Sequence, residues 1–441
     1  MISLPKASSA LCYLFATALS NPVASPFQTL NTRASSQPIA PSEDPWYTAP
    51  TGFETTTPGT ILRIREAPGN ATSLVANCSA VYNILFRSTD ANYEPTFGVT
   101  TLFVPSKDIS SPGNSSSSAS LLSLQIAYNS ADVDASPSYS LYTGLTQPAL
   151  GAPATSTDVG FALSNGWHVS IVDFEGPHAS FGLGPQAGHA VLDAVRAVLS
   201  SSVFPSADAS STTVAMWGYS GGSIATEFAA EFQEQYAPEL DFAGIAIGGI
   251  VTNVTNVIHN INGGPFAGLL PGVLLGVTSQ DAEARAYLVS KLKEEGPTNK
   301  SYFLEDLHLN VNGAFAAYPN VSVFDFFDDG ESDVFAPILQ NIFNRNSYMG
   351  AHGVPRIPVF AYKAIGDEFT DIEQTDALFS WYCSVGARIW FQRNEVGGHV
   401  DEIVNGRERA LEWLKTVFDG SYVAGGCLTE NVRVNTSSLG Y

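Results

Sequence analysis

Gly218-Tyr219-Ser220-Gly221-Gly222 sits between a run that reads as a strand, Val214–Trp217, and a run that reads as a helix, Ser223–Tyr236. No other feature constrains the chain as much. A strand can pass into a helix through one residue only if that residue's backbone is strained and its neighbours carry no obstructing side chains. Glycines at 218 and 222 meet the second condition. Such a turn lifts the Ser220 hydroxyl clear of the sheet. The helix start also presents the Gly221 amide to any negative charge that develops beside it. Ser220 is therefore the candidate nucleophile, Gly221 a candidate oxyanion donor, and Tyr219 a candidate substrate contact. An ordinary glycine-rich turn is the competing reading.

Around this turn, short apolar runs alternate with amphipathic ones. Leu121–Ile126, His168–Val172, Phe242–Ile247, Pro358–Ala364 and Ala387–Gln392 read as strands. Gln186–Leu199, Ile372–Cys383 and Glu408–Phe418 read as helices. This alternation predicts an α/β fold with a mainly parallel central sheet covered by helices on both faces. Thr60–Arg65, Ala80–Arg87 and Val99–Val104 are predicted to form its antiparallel edge, Ala80–Arg87 as a half-exposed strand. The rhythm breaks from 251 to 354, which has helix-like stretches and little strand signal. The expected organisation is a leader at 1–20, a first core segment at 21–250, an inserted cap at 251–354 and a second core segment at 355–441.

A serine hydroxyl needs a base to act at neutral pH. In this type of fold the base is a histidine that follows an acid, which itself follows the serine. Of the histidines that follow Ser220, His352 and His399 stand furthest along the chain. His399, in a predicted loop after Ala387–Gln392, is the better placed, because α/β sites gather at the C-terminal ends of strands. Asp367 is the first acid after Pro358–Ala364, with Glu368 and Asp371 as rivals. A second oxyanion donor is expected from the loop after Leu121–Ile126, where Asn129 or Ser130 can serve by backbone or side chain. The apolar run 265–275 contains Phe266, Leu269 and Leu270, which either line an acyl path or pack inside the cap.

Charge and sorting signals narrow the setting. Forty-two acids against 20 Lys and Arg give a net charge of −22, which argues against nucleic acid as a partner. Lys6 followed by apolar residues 10–16 and small residues at Ala18 and Ser20 reads as a secretory leader. Its apolar run is too short for the roughly 20 residues of a membrane span, so no integral membrane segment is expected. Seven sequons agree with secretion: Asn70, Asn77, Asn114, Asn253, Asn299, Asn320 and Asn435. Cys12 departs with the leader. Cys383 and Cys427 are expected to form a disulfide, which leaves Cys78 as a buried free thiol. No cofactor or metal is expected. There is no His-Glu-x-x-His and no Cys-x-x-Cys, and Asp325, Asp328, Asp329 and Asp333 lack calcium-loop spacing.

Several runs in order resemble the fungal secretory lipases of the Candida antarctica lipase A type. They include Pro137-Ser138-Tyr139-Ser140 with Thr143-Gly144-Leu145, Asp173-Phe174-Glu175-Gly176-Pro177 and Gln186-Ala187-Gly188. Further on come Gly218–Gly222, Tyr236–Leu240, Asn262–Gly268 and Gly366-Asp367-Glu368. The resemblance spans roughly residues 45–430. It implies an α/β-hydrolase core, a helical cap between nucleophile and acid, and hydrolysis of acylglycerols. It places the triad on Ser220, Asp367 and His399, and the oxyanion site on Gly221 and the 128–130 loop. The chain departs where the family carries an Asp in that loop, having Asn129 and Ser130. It departs again at Ala135 and Ser136, where a family cysteine is missing. The expected protein is a secreted monomeric lipase that acts through an acyl-enzyme on acylglycerol or other esters, at a lipid–water interface where the substrate forms one. A carboxylesterase for short-chain or soluble esters is the alternative.

Overall fold

A computed structural model describes residues 30–31, 37–69, 71–106, 119–142, 152–205 and 212–436. The predicted leader, Cys12, Asn70, Asn114 and the 143–145 run lie outside the described residues. Eleven strands form one sheet: β1 (Leu30–Asn31), β2 (Ile61–Glu66), β3 (Cys78–Thr89), β4 (Pro95–Pro105), β5 (Ser120–Gln125), β6 (His168–Val172), β7 (Thr213–Tyr219), β8 (Phe242–Gly248), β9 (Val359–Ala364), β10 (Ile389–Asn394) and β11 (Leu428–Val432). Their spatial order is β1-β2-β3-β4-β6-β5-β7-β8-β9-β10-β11.

From β6 across to β11 every pairing is parallel, whereas β2, β3, β4 and β6 pair antiparallel. Apolar side chains fill both faces of the central strands, and two clusters of buried residues flank the sheet. Gly184–Ser200 and Gly221–Tyr236 belong to the first cluster and His399–Phe418 to the second. The predicted antiparallel edge is present, but β3 is not half-exposed. Ile84–Phe86 are wholly buried, because Trp46, Tyr47 and Phe53 cover Leu62, Leu85 and Val99 from the outer side. The segment before β2 thus supplies a small third core.

Between β8 and β9 the chain adds no strand to the sheet. It runs instead through short helices from Val254–Ile261 to Pro337–Asn346. A bridge between Asn253 and Tyr348 closes the base of this segment. Cys383 and Cys427 are joined by a disulfide that ties the end of helix Ile372–Ser384 to the start of β11. Cys78 is a free thiol, half-buried rather than buried.

Candidate functional site

Ser220 lies between the last residue of β7 and the first of helix Gly221–Tyr236, at φ 56° and ψ −121°. That backbone is costly for any residue with a Cβ. The flanking glycines show why it is held. A Cβ at Gly218 would lie 2.2 Å from the Gly222 carbonyl oxygen, and one at Gly222 would lie 2.0 Å from that of Gln125. The Ser220 amide donates to Gly248 O at 3.0 Å, which pins the turn to β8.

The imidazole of His399 connects the serine to the acid. Its Nε2 is 2.8 Å from Ser220 Oγ and its Nδ1 is 2.8 Å from Asp367 Oδ2. A carboxylate can only accept, so Nδ1 carries the proton and Nε2 is left to accept from the serine hydroxyl. Asp367 Oδ1 accepts from the amides of Phe369 (2.9 Å) and Thr370 (3.2 Å). Burial alone would raise the Asp367 carboxyl. The hydrogen bond and charge of His399, together with Lys363, hold it well below the usual carboxylate range.

His399 was expected in a loop, but it is the first residue of helix His399–Phe418, which begins nine residues before the predicted start. Gly397 and Gly398 hide that start, because no Ser, Thr or Asn marks the cap. Asp401 takes the Gly398 amide instead. Glu368, a rival acid, accepts the His399 backbone amide at 2.7 Å. Asp371 faces Asn256 and Asn260. His352 lies elsewhere, its ring against Phe228 and Phe232 and its Nε2 at 2.8 Å from Arg345 O.

Of the two oxyanion candidates in the 128–130 loop, the structure brings one to the serine. Asn129, at φ 47°, turns its side chain toward Gly221, where its Oδ1 would lie 1.9 Å from an added Cβ. Ser130 is turned away, and its Oγ donates to Leu309 O at 2.8 Å. The backbone amides of both residues face the buried Glu175 carboxyl, which burial raises well above its ordinary range. The Ser130 amide reaches that carboxyl at 3.4 Å. The Gly221 amide, which as the first of its helix has no intrahelical acceptor, is the donor beside Ser220, with Asn129 as the candidate for a second.

A cavity of about 30 Å³ opens at Ser220, walled by Phe181, Ile224, Val254, Leu269, Val273 and Phe369. Leu269 reaches it, but Leu270 does not, being fully buried in the core. Phe266 stands one ring further out, 4.7 Å from Phe369, which itself stacks on His399 at 4.1 Å. Tyr219 is not a wall residue. Its hydroxyl donates to His399 O at 2.6 Å and so braces the helix start. Sequence reasoning missed Phe369, Phe181, Glu175 and Lys363. Phe369 alone had a local signal, as the apolar residue two beyond the candidate acid. Among the described residues no cluster of three or more His, Cys, Asp or Glu could hold a metal, and no helix is long and apolar enough to cross a membrane.

Fold and site together define a carboxylic-ester hydrolase of the α/β-hydrolase type. The chain belongs to the secretory lipase family, whose sequence profile matches residues 151–426. It is similar to the trichothecene C-3 esterase of Fusarium sporotrichioides, at 45% identity over 92% of this chain and 90% of that protein. It is also similar to lipase A of Arthroderma benhamiae, at 35% identity over 90% of this chain and 84% of that protein. Among solved structures, Candida antarctica lipase A in its closed state superposes with a TM-score of 0.77 at 27% identity, covering 89% of each chain.

Proposed function

We propose that Ser220, His399 and Asp367 are the nucleophile, base and orienting acid in the hydrolysis of esters with apolar acyl chains, acylglycerols among them. The observation that carries this reading is the placement of the Ser220–His399 pair, 2.8 Å apart, at the floor of a slot with apolar walls. Ser220 Oγ attacks the ester carbonyl carbon as His399 Nε2 takes its proton. The carbonyl oxygen becomes an oxyanion held by the Gly221 amide, with Asn129 as the second donor. The bond to the alcohol oxygen breaks, and the imidazolium returns the proton to that oxygen. Water then attacks the acyl carbon and gives a proton to His399. The acid leaves, and Ser220 Oγ regains its hydrogen.

The 251–354 segment is the proposed cap. A cavity of about 30 Å³ holds no more than a couple of waters. The Leu269–Val277 helix must therefore shift, or its side chains must turn, before a long acyl group enters. The same narrowness favours a second reading, a short acyl group on a bulky alcohol. That reading also accords with the relative described as a trichothecene C-3 esterase. A series of esters of rising acyl length separates the two. If a long chain is buried, kcat/KM rises about fourfold per added CH2, from ~0.8 kcal/mol each. A maximum at acetate and a steady fall beyond it would establish the second reading at the expense of the first. Secretion by a leader at 1–20, a monomeric state and glycans on the seven sequons belong to the same proposal. Of those described, Asn77, Asn320 and Asn435 are exposed, while Asn253 and Asn299 are half-buried helix caps.

Asn129 offers a direct check on the oxyanion site. Asn129→Ala is expected to lower kcat by about 10²–10³-fold, the usual effect of removing one such donor, with KM nearly unchanged. A loss of only a few-fold would mean that backbone amides alone hold the oxyanion.

A further inference from the structure

β9 is apolar except at Lys363, whose side chain is fully buried. Its Nζ donates to Ile250 O at 2.8 Å and to Thr370 Oγ1, and lies 3.2 Å from Asp367 Oδ2. A buried ammonium loses its hydration and is tolerated only when paired and hydrogen-bonded. A methionine of similar length would occupy the space without that loss, so packing does not account for a lysine here. Three acceptors converge on its head, and one of them is the carboxylate oxygen that holds His399. We infer that Lys363 is a positioning residue: anchored on Ile250 and Thr370, it fixes Asp367 Oδ2 beneath the imidazole and offsets its charge.

The surrounding charges make the offset matter. Glu368 binds the His399 amide from the Asp367 loop. Glu402, on the His399 helix, also acts on Asp367 and is paired with Arg409. Asp371 lies two residues beyond Phe369 and acts on Lys363. Tyr219 from β7 and Tyr362 from β9 are neutral phenols, one on His399 O and the other accepting from Trp217 Nε1. Each carboxylate here favours imidazolium over imidazole, and imidazolium cannot accept the serine proton. Among the described residues, Lys363 is the one Lys or Arg within ion-pair distance of Asp367. Burial pushes the Lys363 amine down, and the Asp367 charge pulls it back toward its ordinary range.

The inference rests on Ser220, His399 and Asp367 as the catalytic set. The test is kcat/KM for a soluble ester against pH, with fold checked by near-UV circular dichroism. In Lys363→Met the acid limb of the profile is expected to move up by about one to two pH units, the size of effect of one close opposite charge. The plateau should change far less. Lys363→Gln keeps donors for Ile250 and Thr370 without the charge, so its limb should move by the same amount. An unmoved limb in a folded variant overturns the inference, as does failure of both variants to fold, which would make Lys363 structural only. Ser220→Ala, assayed alongside, reports on the catalytic set itself. Residual turnover there would defeat that set whatever the Lys363 variants do.

Discussion

Ser220→Ala is expected to lower kcat about 10⁶-fold, the scale seen when the nucleophile of a serine hydrolase is removed. Stability should change little, because the hydroxyl's hydrogen bond to His399 Nε2 is worth only about 0.5–1.5 kcal/mol. Ser220→Gly is expected to be equally inactive yet more stable than Ser220→Ala. The reason is the backbone at φ 56° and ψ −121°, a conformation that costs a residue with a Cβ about 1–3 kcal/mol. Glycine avoids most of that cost but loses roughly 0.5–1 kcal/mol to its greater freedom in the unfolded chain. The difference should leave the Gly variant about 1 kcal/mol above the Ala variant in chemical denaturation. An Ala variant that keeps even a few per cent of ester hydrolysis would place the nucleophile elsewhere. A Gly variant no more stable than the Ala variant would mean that the turn stores no strain.

The strain explains why this part of the site was legible in the sequence. A strand-to-helix turn over one residue demands glycines at fixed offsets, so its chemistry is written within five residues. The order serine, acid, histidine is nearly as local, since each follows its own strand by a few positions. The walls of the slot are different. Phe181, Val254 and Phe369 are far apart in the chain, and the α/β sheet with its insertion is what brings them to Ser220. Glu175 reads as part of a family run, but its position beneath the amides of Asn129 and Ser130 is a tertiary fact. β11 was missed because it is an edge strand with a largely exposed, polar sequence, so no apolar alternation announces it. The bracing contact of Tyr219 was hidden for a related reason. Its neighbour in the chain is the nucleophile, but its hydroxyl is directed to the backbone of a residue 180 positions away.

Asp367→Asn is expected to have a double effect, because the carboxylate serves two neighbours. With the charge gone, the amide can present its NH2 to His399 Nδ1 and favour the wrong tautomer, so kcat should fall about 10⁴-fold. At the same time the Lys363 ammonium loses its carboxylate, and one partner left alone in a buried pair typically costs about 3–5 kcal/mol. The sign of the pH dependence follows from the lysine. Burial already lowers its affinity for a proton, and removing Asp367 lowers it further. The loss of stability should be full where Lys363 remains charged in the fold. It should shrink as pH rises from the folded-state value toward that of the unfolded chain. The double variant Lys363→Met with Asp367→Asn removes both charges, so it should recover most of the stability and none of the activity. Urea denaturation and ester turnover, measured on the same preparations, separate the two roles. Turnover by Asp367→Asn within about tenfold of the parent would hand the orienting role to another acid, since loss of the triad acid's charge costs far more. A double variant as unstable as the single one would show that Asp367 supports the fold through the Phe369 and Thr370 amides rather than through Lys363.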